Sequence, residues 1–413
     1  MTTPMPEAVC AAVAHRPGAV WLDGGTTGWS VLAWDPVEVV TDGRDWPAVG
    51  RALGRRARPT EPPFCGGVIG YLGYGAGHRV LPVPGEAPTP EPEVWLARYD
   101  GALCYHHESA TWHATGALGD LASALESVPP LPSLGPGQAA QAVPGWTEAE
   151  WIDGVERILR LLRDGDCYQV NLTRVQHLRG VGADPFAIYR RLRASDAPWG
   201  AYLRLTDDVA ILCNSPEQFI SAKGRQITSD PIKGTFARAE DPAADDRQRQ
   251  ALDRSGKDLA ELTMIVDLVR NDLGSVAAVG SVHCGPRRIT GHPNVWHTSQ
   301  QVSATLAGGL DVWHALAAAF PPGSVTGAPK VRACHRIAEL EDHPRGVYCG
   351  AIGFVSDCGT AAWNVAIRTA VWHAGSARFH VGGGIVVASD PRDEWQETRD
   401  KARELARAFG IRA

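Results

Sequence analysis

One lysine of this sequence stands in a setting that a surface lysine does not need. Lys233 lies in the stretch SDPIKGT, after Pro231 and Ile232 and before Gly234 and Thr235. The amine is held on a stiff Pro-Ile stem and is followed by a flexible Gly-Thr pair, a setting that calls for a specific chemical role. Which role Lys233 has depends on the rest of the chain.

Two segments each carry a pair of acids at helical spacing. Asp258 and Glu261 are three residues apart in KDLAELT, and Glu394 and Glu397 repeat this spacing in DEWQET. Residues so spaced share one helix face, and two such faces opposite one another would repel unless a cation lay between them. Carboxylate oxygens and water suit Mg²⁺ better than Zn²⁺. Solvated salt bridges are the alternative, because a lysine stands four residues from Glu261 and from Glu397.

Three other places are candidates for binding an anion. Ser324 precedes a predicted helix in PPGSVTGAP, where a hydroxyl and free N–H groups bind carboxylates; a plain helix N-cap is the alternative. VGGGIV places Gly382 and Gly384 inside a strand pattern, which indicates a bulge or a close approach to a ligand. Arg368 lies in an apolar strand pattern, and either a protein carboxylate or a ligand carboxylate would pair with it.

A histidine and one polar strand face add to these candidates. His297, in NVWHTSQQ, is able to serve as an acid or base near neutral pH, although a structural or exposed role is the alternative. The stretch CYQVNLTRVQHL alternates with period two, which predicts a strand. Gln169 and Asn171 lie on its polar face, which faces either water or a cavity. The opposite, apolar face holds Tyr168, Val170 and Leu172.

The elements that position these residues are a mixture of strands and helices. Short strands fill residues 1–127, and a Pro/Gly-rich linker follows at 128–145. The region 146–413 begins with a helix whose Thr147 and Glu150 form a capping-box pattern. Further helices are expected around 255–272, 311–320, 327–341 and 394–409. Since the strands and helices lack a steady βαβ rhythm, an α+β fold is predicted.

Composition excludes several classes of protein. The chain has 413 residues and a net charge of −6 without a basic block, so nucleic acid and anionic membranes are not expected partners. It has no apolar run long enough to span a bilayer and no secretory leader pattern. The nine cysteines are scattered without a CxxC pair, which is typical of the reducing cytoplasm.

Taken together, the motifs resemble those of the chorismate-utilising enzymes, which include anthranilate, aminodeoxychorismate, isochorismate and salicylate synthases. The resemblance implies packed antiparallel β-sheets with surrounding helices, a single unit that the N-terminal strands join. The matching segments run in the family's order from about residue 146 to the C terminus: DCYQVNLTR, NSPEQFI, SDPIKGT, KDLAELTMIVDLVRNDLG, FPPGSVTGAPKVRA, RGVYCGAIGFVS, AIRTA, VGGGIV and EWQETRDKA.

The resemblance also implies a role for each matched residue. Glu261 and Glu397 match direct Mg²⁺ ligands, while Asp258 and Glu394 match acids that reach the metal through water. Glu217, in SPEQFI, matches the acid beside the departing hydroxyl group of chorismate. His297 matches the active-site histidine. The positions that match the group around the substrate's carboxylates are Ser324, Tyr348, Arg368, Gly382 and Gly384.

Two positions separate the branches of the family. Gln169 stands where the water-using branches carry lysine, and glutamine cannot act as a base, so ammonia is the expected nucleophile. The PIKGT form resembles the branch that makes 4-amino-4-deoxychorismate, whereas the anthranilate and 2-amino-2-deoxyisochorismate branches usually carry alanine in place of Lys233. In that branch the lysine forms a covalent adduct at C2 before ammonia adds at C4, which implies that Lys233 is catalytic and that Gly234 and Thr235 contact the substrate. Burial on an apolar stem would favour the neutral, nucleophilic form of the amine. A lysine that only pairs with a substrate carboxylate is the alternative for this position. The alternatives are component I of those two other synthases and, in a different class, a non-catalytic chorismate-binding subunit.

The resemblance further implies partners. The sequence contains no glutaminase nucleophile segment, so ammonia is expected from a separate glutamine amidotransferase subunit or from ammonium salts. A downstream aminodeoxychorismate lyase would convert the product to para-aminobenzoate for folate or a specialised metabolite.

Overall fold

The structure, a computed structural model, describes residues 4–26, 28–55, 57, 62–116, 125, 128–134, 140–291 and 295–411. None of the helices within these ranges is both long and apolar enough to cross a membrane. The α-helices with described bounds are α1 Pro6–Val13, α2 Trp46–Leu53, α3 Glu148–Arg163, α4 Pro185–Leu192, α5 Pro242–Arg254, α6 Gly256–Gly274, α7 Val312–Ala319, α8 Lys330–Leu340 and α9 Pro391–Ala408. Short 3₁₀ turns lie at Tyr74–Arg79, Arg193–Ser195 and Gly323–Val325.

The strands alternate with these helices along the chain. They are β1 Val20–Asp23, β2 Trp29–Ala33, β3 Glu38–Val40, β4 Gly67–Leu72, β5 Val94–Tyr99, β6 Gly101–His106, β7 Thr111–Gly116, β8 Gln141–Ala142, β9 Gln169–Val181, β10 Trp199–Thr206, β11 Val209–Ser215, β12 Gln218–Lys223, β13 Gln226–Asp230, β14 Ile232–Ala237, β15 His283–Gly291, β16 Val295–Thr305, β17 Gly327–Ala328, β18 Ala351–Ser356, β19 Thr360–Val365, β20 Thr369–His373 and β21 Gly375–Ile385.

The strands form two large sheets, and every described strand pair is antiparallel. The first sheet has the order β17-β9-β21-β20-β11-β10-β1-β2-β6-β7, with β8 beside β9. The second has the order β14-β16-β13-β12-β19-β18-β4-β5-β3, with β15 beside β16. This arrangement confirms the predicted α+β class of packed antiparallel sheets with surrounding helices.

Apolar side chains fill three layers around the sheets. Between the two sheets, Val31 and Ile211 of the first share a cluster with Ile69 and Phe354 of the second. The opposite face of the first sheet packs against α1, α4 and the end of α9, and that of the second sheet packs against α2, α6 and α7. Period-two alternation along each strand therefore serves two cores, which explains why so many strands are buried on both faces.

Helix α3 agrees closely with its sequence pattern. Thr147 caps the helix through a hydrogen bond from the backbone N–H of Glu150, whose side chain accepts from the Thr147 backbone in return. This confirms the predicted capping box. The apolar stripe on the helix faces the core, and its buried members are Trp151, Val155, Ile158, Leu159 and Leu162.

The N-terminal strands are built into both sheets. β1 pairs with β10 in the first sheet, and β4 pairs with β18 in the second. Within the predicted linker, 128–145, residues 140–145 include β8, which pairs with β9. Residues 135–139 of that linker lie outside the described residues. Strands from before and after the linker therefore share the same sheets.

The helix expected around 327–341 is present as α8 and begins at Lys330, because Gly327 and Ala328 form β17 and pair with β9. Two other sequence-based predictions about local structure were wrong. Arg368 lies between β19 and β20, in the left-handed region with φ +49°, rather than inside a strand. Tyr168 precedes β9 and is 72% exposed, so it does not join the buried apolar face.

Candidate active site

Lys233 lies on an edge strand whose regular pairing is broken beside it. On β14, Lys233 pairs with Thr298 and Thr235 pairs with His297 of β16, and the register shifts between these two pairs. Gly234 takes up the extra residue with φ +73°, a conformation that favours glycine. The Thr298 hydroxyl donates a hydrogen bond to the Lys233 carbonyl, which holds the backbone of this bulge.

The space beside Gly234 is filled by protein. A Cβ atom at this position would lie 2.8 Å from Cδ1 of Leu252 and 3.0 Å from Cγ of Asp258, so α5 and α6 approach the bulge closely. This corrects the expectation that Gly234 contacts the substrate. Its role in the structure is to bring β14 against the helix that carries Asp258 and Glu261.

The side chain of Lys233 meets a buried acid and a serine. Its Nζ atom donates a 3.4 Å hydrogen bond to the carbonyl oxygen of Ser324, in the turn Gly323–Val325. The Ser324 side chain hydrogen-bonds Glu217, which is 5% exposed. Burial raises the pKa of Glu217 to about 7, although Ser324 and Lys233 oppose this rise. A carboxyl group with such a pKa is able to hold a proton near neutral pH and to donate it.

Glu217 and Ser324 also line a small internal cavity with Phe219 and Asp272. Asp272 forms a buried ion pair with Lys330 at 2.8 Å, which closes this region on the α8 side. The two hydroxyl side chains that precede α8 therefore have different partners. Ser324 faces Glu217, whereas the Thr326 hydroxyl donates to the carbonyl oxygens of its own turn.

Helices α6 and α9 bring the two acid pairs to one region. Lys257 Nζ lies 4.0 Å from Glu261 on its own helix and 3.5 Å from Glu394 on α9. On α9, Glu397 pairs with Lys401 at 2.6 Å. The i, i+4 salt bridges that formed the alternative interpretation are therefore present, and a third contact links the two helices.

The carboxylates of this region differ in their environments. Burial and the nearby Glu397 raise the pKa of Glu394, although its Oε1 accepts a 2.7 Å hydrogen bond from Ser389. Burial likewise raises the pKa of Glu261, whereas Lys401 lowers that of Glu397. Burial makes the charged form of a carboxylate unfavourable, and a nearby divalent cation would stabilise that charged form.

The two acid pairs of α6 and α9 suit Mg²⁺, because all of their donor atoms are carboxylate oxygens. In the described part of the chain, no three Asp, Glu, His or Cys side chains are close enough together to hold a metal as they stand. The contacts of Lys257 nevertheless show that Glu261 and Glu394, from two separate helices, reach a single cation. These side chains would have to draw closer around a metal ion.

The three consecutive glycines near the end of β21, Gly382 to Gly384, are approached closely on both faces of the strand. A Cβ atom at Gly384 would lie 2.9 Å from the side-chain nitrogen of Gln169, and one at Gly382 would lie 2.2 Å from the carbonyl oxygen of Leu172. Gly383 points to the other face, where its Cβ would lie 3.1 Å from a carboxylate oxygen of Glu394. Sequence reasoning gave Gly383 no role, but its lack of a side chain leaves space for the carboxylate of Glu394.

The polar face of β9 is buried rather than solvated. Gln169 is 0% exposed, and neither of its amide atoms forms a hydrogen bond with the described residues. The side-chain oxygen of Asn171 is also buried and forms no hydrogen bond with the described residues. An unsatisfied buried polar group costs about 1–3 kcal/mol, so such groups call for a partner that the folded chain does not supply.

Arg368 and Tyr348 have partners within the protein. Arg368 pairs with Glu404 of α9 at 3.0 Å, which is the protein carboxylate of the two alternatives. Glu404 in turn accepts a 2.8 Å hydrogen bond from Asn214 and a second bond from Ser195. Tyr348 is buried and its ring stacks on His380 at 5.2 Å.

His297 is 3% exposed and its Nδ1 atom lies 3.0 Å from the hydroxyl oxygen of Thr235. It therefore shares the β14–β16 ladder with Lys233.

The structure thus brings several expected residues together and adds others. Lys233 hydrogen-bonds Ser324, which lies beside Glu217. The charge of Lys233 also acts on Glu217, Glu261 and Glu397. Sequence reasoning did not assign Lys257, Lys401 or Glu404 to the site. The first two carried a signal, their i, i+4 spacing from an acid, whereas Glu404 could be recognised only through its three-dimensional contacts.

Comparisons with known proteins show the family of this chain. A family model described as chorismate binding enzyme matches residues 18–407. The chain is 38% identical over 352 residues to aminodeoxychorismate synthase component 1 of Salmonella typhimurium, covering 83% of this chain and 76% of that one. It is 35% identical over 421 residues to anthranilate synthase component 1 of Streptomyces coelicolor, covering 94% and 82%. The chain therefore belongs to the chorismate-binding enzyme family.

A solved structure is similar over nearly the whole chain. Anthranilate synthase component I from Streptococcus pneumoniae matches with a TM-score of 0.81 and 28% identity, covering 92% of each chain. Relatives from two branches thus resemble this chain to a similar degree. Overall similarity does not separate the branches, so the choice between them depends on individual side chains.

Proposed function

We propose that this chain is component I of an aminodeoxychorismate synthase, which converts chorismate and ammonia to 4-amino-4-deoxychorismate. The observation that carries the proposal is the position of Lys233, whose amine contacts Ser324 beside the buried acid Glu217. An amine and a proton donor at one point are what a substitution through a covalent intermediate needs. The branches that lack this lysine have no such amine.

In the first step, the neutral amine of Lys233 attacks C2 of chorismate. The new N–C2 bond forms while the two ring double bonds shift and the C4–O bond breaks. Hydroxide is a poor leaving group, so Glu217 donates its proton and the group departs as water. Its pKa of about 7 leaves Glu217 largely protonated below neutral pH and suits it to this donation.

In the second step, ammonia attacks C4 and the double bonds shift back. The C2–N bond breaks, Lys233 leaves as an amine, and the proton lost by the incoming nitrogen returns to Glu217. The enolpyruvyl group stays on the ring and no net oxidation takes place. Gln169, beside Gly384, has no basic group to activate water, which favours ammonia as the nucleophile.

The remaining residues would bind and orient the substrate. We assign its carboxylates and hydroxyl group to Ser324, Tyr348, Arg368, Gly382 and Gly384, with Gln169 and Thr235 nearby. His297, held by the Thr235 hydroxyl, would complete the wall beside Lys233.

Mg²⁺ is the cofactor that we propose for the acid group. Glu261 and Glu397 would bind it directly, and Asp258 and Glu394 would do so through water. When bound, it would neutralise the ring carboxylate of chorismate and favour attack at C2. Without a cation, the negative charge of these acids would repel the carboxylates of chorismate.

The names of the component 1 relatives indicate a multi-component enzyme. We propose that a glutamine amidotransferase subunit supplies ammonia to this chain and that a lyase then acts on the product.

Identification of the product tests the proposal. Purified protein is incubated with chorismate, Mg²⁺ and an ammonium salt, without lyase, and the product is analysed by mass spectrometry and NMR. We expect an amine at C4 with the enolpyruvyl group retained. Anthranilate with pyruvate, 2-amino-2-deoxyisochorismate or isochorismate would overturn the proposal. Unchanged chorismate under saturating ammonium would favour the non-catalytic binding subunit.

A further inference from the structure

The two acid-bearing helices are joined by a cation that belongs to the protein. Lys257 starts from the first turn of α6, and its Nζ atom lies 3.5 Å from Oε1 of Glu394 on α9 and 4.0 Å from Oε1 of Glu261. These are two of the four carboxylates assigned above to Mg²⁺. The ammonium group therefore lies within reach of oxygens that a metal ion would need.

The carboxylates that Lys257 contacts are poorly exposed to water. The side chain of Glu394 is 5% exposed and that of Glu261 is 13% exposed. Buried carboxylates need a nearby positive charge to offset their loss of hydration. Lys257 supplies such a charge to both acids in the metal-free protein.

The two lysines of this region are held differently. Lys401 pairs with Glu397 and also donates a 2.8 Å hydrogen bond to the carbonyl oxygen of Gly382, which ties it to β21. Lys257 is 46% exposed, although the two carboxylates that its side chain bridges are largely buried. A flexible lysine in this position is able to swing into solvent, where its charge is fully hydrated.

We propose that Lys257 is an internal counter-ion that competes with a divalent cation for Glu261 and Glu394. Both cations depend on the negative charge of the same two carboxylates, and a divalent ion held by them would repel an ammonium group 3.5 Å from Glu394. Lys257 must therefore leave before the metal binds. The inference rests on the metal site of the proposed function and adds an order to its assembly.

The order follows from charge. Without substrate, the ammonium group balances the acids and the metal gains little by replacing it. Chorismate adds two carboxylates, which restore the attraction for a divalent ion and make displacement of Lys257 favourable. Substrate and metal therefore bind with positive coupling, and each raises the affinity for the other.

Binding of Mn²⁺, followed by electron paramagnetic resonance without chorismate, tests this role. Lys257→Met removes the charge and keeps much of the apolar stem, and we expect it to bind Mn²⁺ about ten-fold more tightly than the wild type. Lys257→Arg keeps a cation and serves as the conservative control, and Lys223→Met repeats the substitution at an exposed lysine at the end of β12. Both controls are expected to match the wild type, and thermal melts check that all variants fold.

Two outcomes overturn the inference, and they are distinguishable. If the wild type binds Mn²⁺ and Lys257→Met binds it equally or more weakly, Lys257 does not compete with the metal, while the proposed metal site stands. If the wild type takes up no Mn²⁺ with or without chorismate, the metal site of the proposed function fails and the competition fails with it.

Discussion

Lys233 Nζ donates a 3.4 Å hydrogen bond to the backbone carbonyl of Ser324, a residue 91 positions away in the sequence. The hydroxyl of the same serine contacts Glu217. One short turn therefore holds the proposed nucleophile and the proposed acid. A change in this turn would alter both groups together.

The covalent adduct of Lys233 should be observable when ammonia is withheld. With chorismate and Mg²⁺ alone, intact-protein mass spectrometry should show a gain equal to chorismate minus water, because an N–C2 bond forms as water leaves. Lys233→Ala should show no such gain and should lose the C4-aminated product, while calorimetry should still detect chorismate binding. An adduct on the alanine variant, or full activity of that variant, would contradict the assignment.

Replacing Glu217 by glutamine should slow turnover and remove one limb of the pH profile. Glu217 must be protonated to assist the departing hydroxyl, so the wild-type rate should fall as the pH rises through about 7. Glu217→Gln should lower kcat by about 10²–10⁴-fold and lose this decline. The measurement is kcat for product formation from pH 5.5 to 9. A variant that keeps the alkaline decline would assign it to another group.

The same substitution should change stability with pH. Since burial raises the pKa of Glu217 from 4.5 to about 7, the folded protein keeps a proton that the unfolded chain releases in this range. The stability from that proton is fully present below about pH 4.5 and is lost as the pH rises through 7. Glu217→Gln should therefore unfold with a free energy higher than wild type by up to about 3 kcal/mol at pH 8.5. Urea unfolding at pH 4.5 and 8.5 measures the difference, which should nearly vanish at the lower pH.

Gln169→Met should make the protein more stable and weaken its binding of chorismate. The buried amide lacks hydrogen bonds in the described structure, and an apolar side chain of similar length removes that cost. We expect the free energy of unfolding to rise by about 1–2 kcal/mol and chorismate affinity to fall about ten-fold. Urea unfolding and calorimetry measure the two effects. A less stable variant with unchanged affinity would assign Gln169 to packing alone.

Glu404→Gln should weaken substrate binding through Arg368. Glu404 fixes the guanidinium at 3.0 Å and is itself held by Asn214. Loss of this charge should loosen Arg368 and raise KM for chorismate about ten-fold with a smaller change in kcat. Glu156→Gln, at an exposed position of α3, is the matched control. Equal KM values for the two variants would separate Glu404 from the site.

Patterns in the sequence predicted the elements that carry strong local signals. The capping box of α3 is present as expected, and the short strands expected before residue 127 include the paired strands β6 and β7. Helix α5 was not predicted, because it is very polar and buries only Asp245 and Leu252. Its start at Asp241 is a capping signal that the weak apolar periodicity obscured.

The sequence predicted which residues belong to the candidate site but not how their side chains are arranged. Acid pairs at i, i+3 spacing fixed which faces of α6 and α9 matter, yet spacing within a helix says nothing about Lys257 reaching Glu394 on another helix. The partner of Arg368 could not be predicted either, because the sequence around an arginine does not show whether it pairs with a protein carboxylate or a ligand carboxylate. Gly234 shows the converse, because a small residue indicates closeness without saying whether protein or ligand fills the space.

The pairing of β1 with β10 and of β4 with β18 has a consequence for how this chain can be divided. Cleavage between residues 128 and 145 would leave the C-terminal piece with two bare strand edges, each offering unpaired N–H and C=O groups. Such a fragment would tend to aggregate alone, and co-expression of the two pieces would be needed to restore a folded enzyme. Exchange of the first 127 residues between relatives should therefore succeed only when the residues facing β10 and β18 are exchanged to match.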